Sequence, residues 1–243
     1  PGGNSEFHLV DERIAGRKPA NLGFAEAAAL PLTTITAWES MFDRMGISRS
    51  GAHAGKTLLI IAGAGGVGSI AIQLAKKLAR LTVVATASRP ESVAWARALG
   101  ADQVIDHSED LAPQLEALGM KEVDYIFCLN NTDRWIPAFA PIIKPLGKMC
   151  AIVSALKPVD LTPLMSKSVT LAWEFMFTRF SFKTPDMIEQ HHLLNETAAL
   201  IEAGTLKKTL SVNLGKITAA NLKRAHKMLE AGHTLGKIVL EGF

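Results

Sequence analysis

The sequence predicts an α/β fold: a doubly wound parallel sheet that interrupts a second, smaller domain. Three observations carry this. First, a glycine stretch, Gly63-Ala64-Gly65-Gly66-Val67-Gly68-Ser69, lies between an apolar β-branched run, Thr57–Ala62, and a segment, Ile70–Ala79, whose apolar residues recur at helical spacing. Second, from Thr57 to Trp173 such strand-like runs alternate with helical ones, and short alternations of this kind imply right-handed crossovers and a sheet buried on both faces. Third, the alternation is absent before residue 34 and stops after residue 173. The division that follows is 1–33 and 174–243 as two parts of one smaller domain, with 34–173 as the nucleotide-binding domain.

Pro1-Gly2-Gly3-Asn4 reads as the middle of a loop and, without an initiator Met, as the start of a fragment. Ser5–Val10 alternates enough to predict an edge strand, and Asp11–Asn21 is polar and turn-rich. Phe24–Leu30 is an alanine-rich helix, and Pro31 suits the first turn of the next, over Thr34–Met45. After a loop at Gly46–Gly55, strands are expected at 57–62, 81–86, 103–105, 123–128, 147–153 and 169–173. Helices are expected at 70–79, after Ser88-Arg89-Pro90-Glu91 and through Leu99, over 109–118 and over 133–143, the last interrupted by Pro137 and Pro141. Beyond them, 185–203 reads as one long helix with Thr184 as its N-cap, 206–212 as a strand, 218–231 as a helix and 236–240 as a final strand.

A glycine pattern opening a helix after a strand is the signature of dinucleotide binding. Gly63 is expected to make the tight turn, Gly65 to let a pyrophosphate approach the backbone, and Gly68 to let helix and strand pack closely. Gly66 and Val67 complete the stretch, ahead of the helix whose free N–H groups and positive dipole end face that pyrophosphate. The end of the second strand chooses the cofactor. An NAD site carries Asp or Glu about 20 residues past the glycines; this chain has Ala87-Ser88-Arg89 there. A hydroxyl and a guanidinium suit a 2′-phosphate, so the reading is NADPH. The alternative reading of Arg89 is a solvated residue in a helix-start loop.

Other chemistry is sparse. The chain lacks GxSxG, HExxH and a telling carboxylate pair. His191 and His192 are adjacent, so on a helix they diverge by about 100° and cannot share a metal. Cys128 ends the fourth strand, where ligands of open α/β sheets bind, but a buried packing thiol is expected there. The 243 residues are 48% hydrophobic and 20% charged, with a net charge of +3 and scattered Lys and Arg. That supports a sizeable core and gives no electrostatic reason to expect nucleic acid or a membrane surface. No apolar stretch reaches the roughly 18 residues of a membrane span. Two cysteines outside any CxxC pattern fit a reduced, cytoplasmic setting.

Several stretches resemble the medium-chain dehydrogenase/reductase superfamily in its quinone oxidoreductase-like branch: Ala27–Phe42 (AAALPLTTITAWESMF), Ala62–Lys76, Leu99–Asp106 (LGADQVID) and Gly236–Phe243 (GKIVLEGF). Asn4–Arg13, Trp173–Arg179 and Thr184–Leu194 are similar to the group called zinc-type alcohol dehydrogenase-like proteins. The resemblance implies a Rossmann domain with remnants of a split GroES-like β domain, most of whose N-terminal part, a module of roughly a hundred residues, is absent. It also implies an NADPH-dependent reductase acting on a quinone or an α,β-unsaturated carbonyl compound. It places Thr36 beside the nicotinamide, Gly63–Ser69 at the pyrophosphate and Ser88 with Arg89 at the 2′-phosphate. Zinc alcohol dehydrogenases place a cysteine ligand where this chain has Leu32, so no catalytic zinc is expected. No catalytic residue is assigned. A nucleotide-binding protein with little turnover and a zinc alcohol dehydrogenase are the competing readings. Pairing through the edge strand 169–173 predicts a homodimer.

Overall fold

The computed structural model describes residues 3–243, so Pro1 and Gly2 of the expected opening loop lie outside the described residues. A 3-10 turn at Glu12–Ile14 precedes α1 (Phe24–Ala28) and α2 (Pro31–Trp38), and α2 runs on as a π-helix over Glu39–Arg44. Then come β1 (Thr57–Ile61), α3 (Gly66–Lys77), β2 (Thr82–Thr86), α4 (Pro90–Ala98), β3 (Gln103–Ile105), α5 (Leu111–Ala117), β4 (Val123–Cys128), α6 (Thr132–Phe139), β5 (Ile143–Ala151), α7 (Thr162–Met165) and β6 (Thr170–Trp173). The chain ends in α8 (Thr178–Phe182), α9 (Glu189–Glu202), β7 (Leu210–Asn213), α10 (Ala219–Glu230) and β8 (Lys237–Val239). It forms two compact units. One is Thr36–Phe175; the other joins the residues up to Ile35 with Met176–Phe243.

In the first unit six strands pair in the order β3-β2-β1-β4-β5-β6, every neighbouring pair parallel. The doubly wound parallel sheet expected from the alternation is therefore present. The chain winds outward one way from β1 and the other way from β4, so the carboxyl ends of these two strands flank the point where ligands of such sheets bind. The central strands are apolar throughout because helices cover both faces: Leu58, Leu59, Ile60, Ile126 and Phe127 are fully buried. One face packs Ile126 and Met149 with Trp135, Ile136 and Phe139 of α6.

In the second unit β7 and β8 form a two-stranded parallel ribbon. Ala25 and Ala29 of the α1 region pack with Val239, and Leu210 lies against them. The Arg17 guanidinium reaches Glu202 with both of its terminal nitrogens, at 2.5 and 2.8 Å, and the Ala20 amide donates to the same carboxylate. Gly16 is required by contact: a Cβ there would lie 2.4 Å from the Leu194 Cβ.

Several expectations need correction. Ser5–Val10 is not a strand; it is exposed and without a ladder partner among the described residues. The helix expected over 185–203 begins only at Glu189, after the short α8 and a turn region, because the Thr184 hydroxyl bonds the Asp186 carboxylate at 2.6 Å instead of capping a helix. Strand β5 begins at Ile143, before its expected start, because it bulges: Val123 pairs with Ile143 and Tyr125 with Lys148. Helix α6 passes through Pro137 and ends before Pro141.

The π-helix was not expected. It is fastened to the edge of the sheet by Arg44, which reaches two buried carboxyl groups. Arg44 Nε donates to Glu174 Oε2 at 2.8 Å, and Arg44 Nη2 lies 3.6 Å from Glu39 Oε2. Both carboxyl side chains are wholly buried while the guanidinium is partly exposed. Burial, and then the neighbouring Glu39, push the Glu174 carboxyl up to about 8. A folded-state value above the ordinary 4.5 means that Glu174 favours folding fully below 4.5 and that this contribution is lost as the pH rises to about 8. Stability measured by denaturant titration is therefore expected to fall between pH 5 and pH 8 in the wild type. Glu174→Gln, which cannot ionise, should flatten that slope; an unchanged slope would refute the assignment.

Candidate dinucleotide site

The glycine stretch sits where β1 gives way to α3. The turn expected of Gly63 carries its left-handed residue at Ala62, at φ 60°. Gly63 is needed for a different reason: a Cβ there would come within 2.7 Å of the Ala85 Cβ on β2. Gly68 is tighter still, since a Cβ would stand 2.4 Å from the Gly63 carbonyl oxygen, so this residue sets how closely α3 can approach β1. Gly65 differs from both. It is the N-cap of α3 in extended conformation, and a Cβ there would meet only the Ala62 oxygen, at an ordinary 3.5 Å. Protein does not demand glycine at Gly65; the open space beside it does.

The first-turn amides of Gly66, Val67 and Gly68 lack intrahelical acceptors, as at any helix start, and α3 runs 12 residues behind them. They present donors and the positive end of the helix to that space, which is the chemistry a pyrophosphate requires. The turn is braced from both sides. Thr86 Oγ1 accepts from the Ala62 amide at 2.9 Å, and the Thr86 carbonyl accepts from the Gly63 amide at 3.0 Å. The Ser69 hydroxyl donates to the Gly65 carbonyl at 2.7 Å and accepts from the Trp95 indole at 2.8 Å. Trp95 lies midway along α4, so the first turn of α3 is linked directly to the middle of α4.

Ser88 and Arg89 follow β2. Ser88 is exposed; Arg89 is the N-cap of α4, with Pro90 at the first helical position. The Arg89 guanidinium is half-buried, 3.2 Å from the Ser92 hydroxyl and 3.3 Å from the exposed Glu91 carboxylate. The structure adds His107, which the sequence reading missed. Its Nε2 is 3.4 Å from the Ser88 hydroxyl, and its Nδ1 is buried with no hydrogen-bond partner. His107 sits just beyond β3, beside β2 in the sheet. Counting along β2 alone cannot find it; the strand order does.

At the carboxyl end of β4 the Asn130 Oδ1 is likewise buried without a partner. The Cys128 thiol donates to the Asn130 carbonyl, and burial pushes that thiol up to about 12, so it is a packing group rather than a nucleophile. Thr36 is buried on α2. His191 and His192 do not diverge on α9 as expected; their rings meet edge-on with centroids 5.9 Å apart, His191 held by the Ala15 carbonyl and the Asn195 carboxamide and His192 exposed.

The sheet order and the glycine cradle at its switch point define a doubly wound domain of the dinucleotide-binding class. Comparison with known proteins agrees. The family model for zinc-binding dehydrogenases matches residues 99–240. A zinc-type alcohol dehydrogenase-like protein of Staphylococcus aureus (strain MSSA476) is 44% identical over 98% of this chain and 71% of its own length. The NADPH-dependent alkenal/one oxidoreductase of Arabidopsis thaliana chloroplasts is 30% identical over 98% of this chain and 53% of its own. Among solved structures, a Rhizobium etli CFN 42 protein provisionally assigned as a zinc-dependent alcohol dehydrogenase is 50% identical. It superposes with a TM-score of 0.94 over 100% of this chain and 71% of its own. Escherichia coli quinone oxidoreductase, solved with NADPH, is 27% identical with a TM-score of 0.76 over 92% of this chain and 67% of its own. The chain belongs to the zinc-binding dehydrogenase family of the medium-chain dehydrogenase/reductase superfamily, and is by class an oxidoreductase.

The family name raises the question of a metal. Leu32 has no donor atom, and no group of three or more His, Cys, Asp or Glu that could hold a metal ion occurs among the described residues. The residues present do not fit a catalytic zinc, which takes about three protein ligands.

Two substitutions separate ligand space from packing space in the cradle. Gly65→Val should leave the fold intact and abolish binding of NADPH and NADH alike, read by calorimetry. Gly68→Ala, pressing on the Gly63 backbone, should lose roughly 1–3 kcal/mol of stability, read by denaturant unfolding. Normal nucleotide binding by Gly65→Val would show that the cradle is not the pyrophosphate seat.

Proposed function

We propose that this chain is the cofactor-binding part of an NADPH-dependent reductase whose substrate is a quinone or an α,β-unsaturated carbonyl compound. The observation that carries the reading is the cluster beyond β2 and β3. Where an NAD site has a carboxylate, this chain has the Ser88 hydroxyl, the His107 imidazole and the Arg89 guanidinium. All three can donate hydrogen bonds to a 2′-phosphate, and Arg89 exchanges its exposed partner Glu91 for that phosphate on binding. The cofactors and substrates of the Arabidopsis and Escherichia coli relatives support the same choice.

In this reading the amides of Gly66, Val67 and Gly68 hold the pyrophosphate, with Gly63 and Gly65 shaping the turn around it. Thr36 and the Asn130 carboxamide, whose Oδ1 is buried without a partner, would line the nicotinamide end. NADPH held there would supply a hydride to the β-carbon of an enone or to a quinone, and hydrogen-bond donors would meet the negative charge left on the substrate oxygen. The two free, buried cysteines accord with a reducing, cytoplasmic setting. Among the described residues no helix is long and apolar enough to cross a membrane. The outer edge of β6, with half-exposed Trp173, is where a second copy would add its own edge strand and make a homodimer.

The full-length protein should oxidise NADPH in the presence of members of a quinone and enone panel. Tight NADPH binding with no turnover on any member would favour a binding protein instead. Arg89→Ala should weaken NADPH roughly 10- to 100-fold and leave NADH nearly unchanged, as expected for one charge-assisted contact. Equal loss for both nucleotides would refute the 2′-phosphate assignment.

A further inference from the structure

The opposite, amino edge of the sheet holds a second cavity. It has a volume of about 400 Å³ and is lined by His53, Lys56, Asp124, Tyr125 and the segment from Lys144 to Lys148. It opens because β5 bulges. Between the pairs Val123–Ile143 and Tyr125–Lys148, β4 advances two residues while β5 advances five, so Lys144–Gly147 is thrown out of the ladder. The bulge is held in a costly shape. Leu146 adopts a left-handed φ of 62° with its side chain largely exposed, and its amide is fixed by the Lys167 carbonyl at 2.7 Å. A β-bulge with a strained non-glycine residue is a device by which folds re-aim side chains beside ligand sites.

The side chains aimed here are cationic. Lys144 is neutralised by Asp124 at 2.9 Å, and the same Asp124 oxygen also accepts from the Thr57 amide. Lys56 and Lys148 make no ion pair among the described residues. Lys56 lies over the Tyr125 ring, 5.7 Å from its centroid, and the His53 ring contacts the same Tyr125. The His53 Nδ1 accepts from the Ser48 amide at 3.1 Å, which leaves the ring proton on Nε2 as a further donor. Two unpaired ammonium groups and an imidazole N–H around a buried tyrosine form a concave seat with a surplus of positive charge. It lies a strand's length from the glycine cradle.

We propose that this cavity binds a small, multiply charged oxyanion of the phosphate type, with Lys56 and Lys148 as its principal ligands and Tyr125 as the floor. Lys ammoniums act as compact point charges that suit a phosphate without demanding a fixed planar geometry. The site is distinct from the dinucleotide seat in position and in donor type, and the proposal stands whether or not the reductase reading does.

The chain contains a single tyrosine, so a ring-13C tyrosine label reports on Tyr125 alone. Inorganic pyrophosphate titrated into the labelled protein should move the Tyr125 ring resonances saturably. Sodium chloride at matched ionic strength should not. The variant Lys56→Gln/Lys148→Gln, shown to be folded by circular dichroism, should bind at least about tenfold more weakly. Lys77→Gln, on α3, should leave the affinity unchanged. A linear, unsaturable shift, a shift reproduced by chloride, or unchanged affinity in the double variant would each overturn the proposal. Gly65→Val, which blocks the dinucleotide cradle, should still show the saturable Tyr125 shift; its loss there would assign the response to the cradle and overturn the proposal too.

Discussion

The close approach of α3 to β1 is the constraint on which this structure depends. Gly68 and Gly63 touch backbone to backbone, with no space for a side-chain carbon between them. That contact brings the start of α3 down onto the carboxyl end of the central strand. Ile70, Ile72 and Leu74 of α3 are completely buried, and the first-turn amides of the helix are left free at the switch-point crevice. Packing and ligand recognition thus share one atomic contact. A methyl group at Gly68 would disturb the core before it disturbed any ligand, whereas one at Gly65 would intrude only on ligand space.

Much of this was legible because it follows from local patterning. Fully apolar runs bounded by glycine and polar turns identified the six strands, and the absence of polar alternation already said that both faces were covered. The glycine motif gave the place of the cradle. What escaped was set by contacts between segments distant in sequence. His107 joins Ser88 only because β3 lies beside β2. The β5 bulge depends on pairing with β4, so the strand's start could not be read from its own residues. The π-helix after α2 is stabilised by Glu174, which lies 130 residues from its partner Arg44. Thr184 illustrates the limit of propensity: its hydroxyl had a helix to cap and an aspartate two residues away, and the aspartate won.

The two units divide these roles differently. The sheet unit holds every residue assigned to the dinucleotide and also the cationic cavity at its far edge. The other unit is built from α1, the long helix α9 and the β7–β8 ribbon, joined by the Arg17–Glu202 pair and small-residue contacts such as Gly16 against Leu194. One cluster of its core is small, Ala25, Ala29 and Val239 with Leu210 against them.

The bond from the Trp95 indole to the Ser69 hydroxyl ties together the two helices that carry the proposed phosphate contacts. Ser69 stands in the first turn of α3, and Trp95 lies midway along the helix that Arg89 caps. In the proposed reading, this tie would limit how far the first-turn amides of α3 and the cluster around Arg89 can move apart. A nucleotide would then be sorted by the distance between its negative charges as well as by their number.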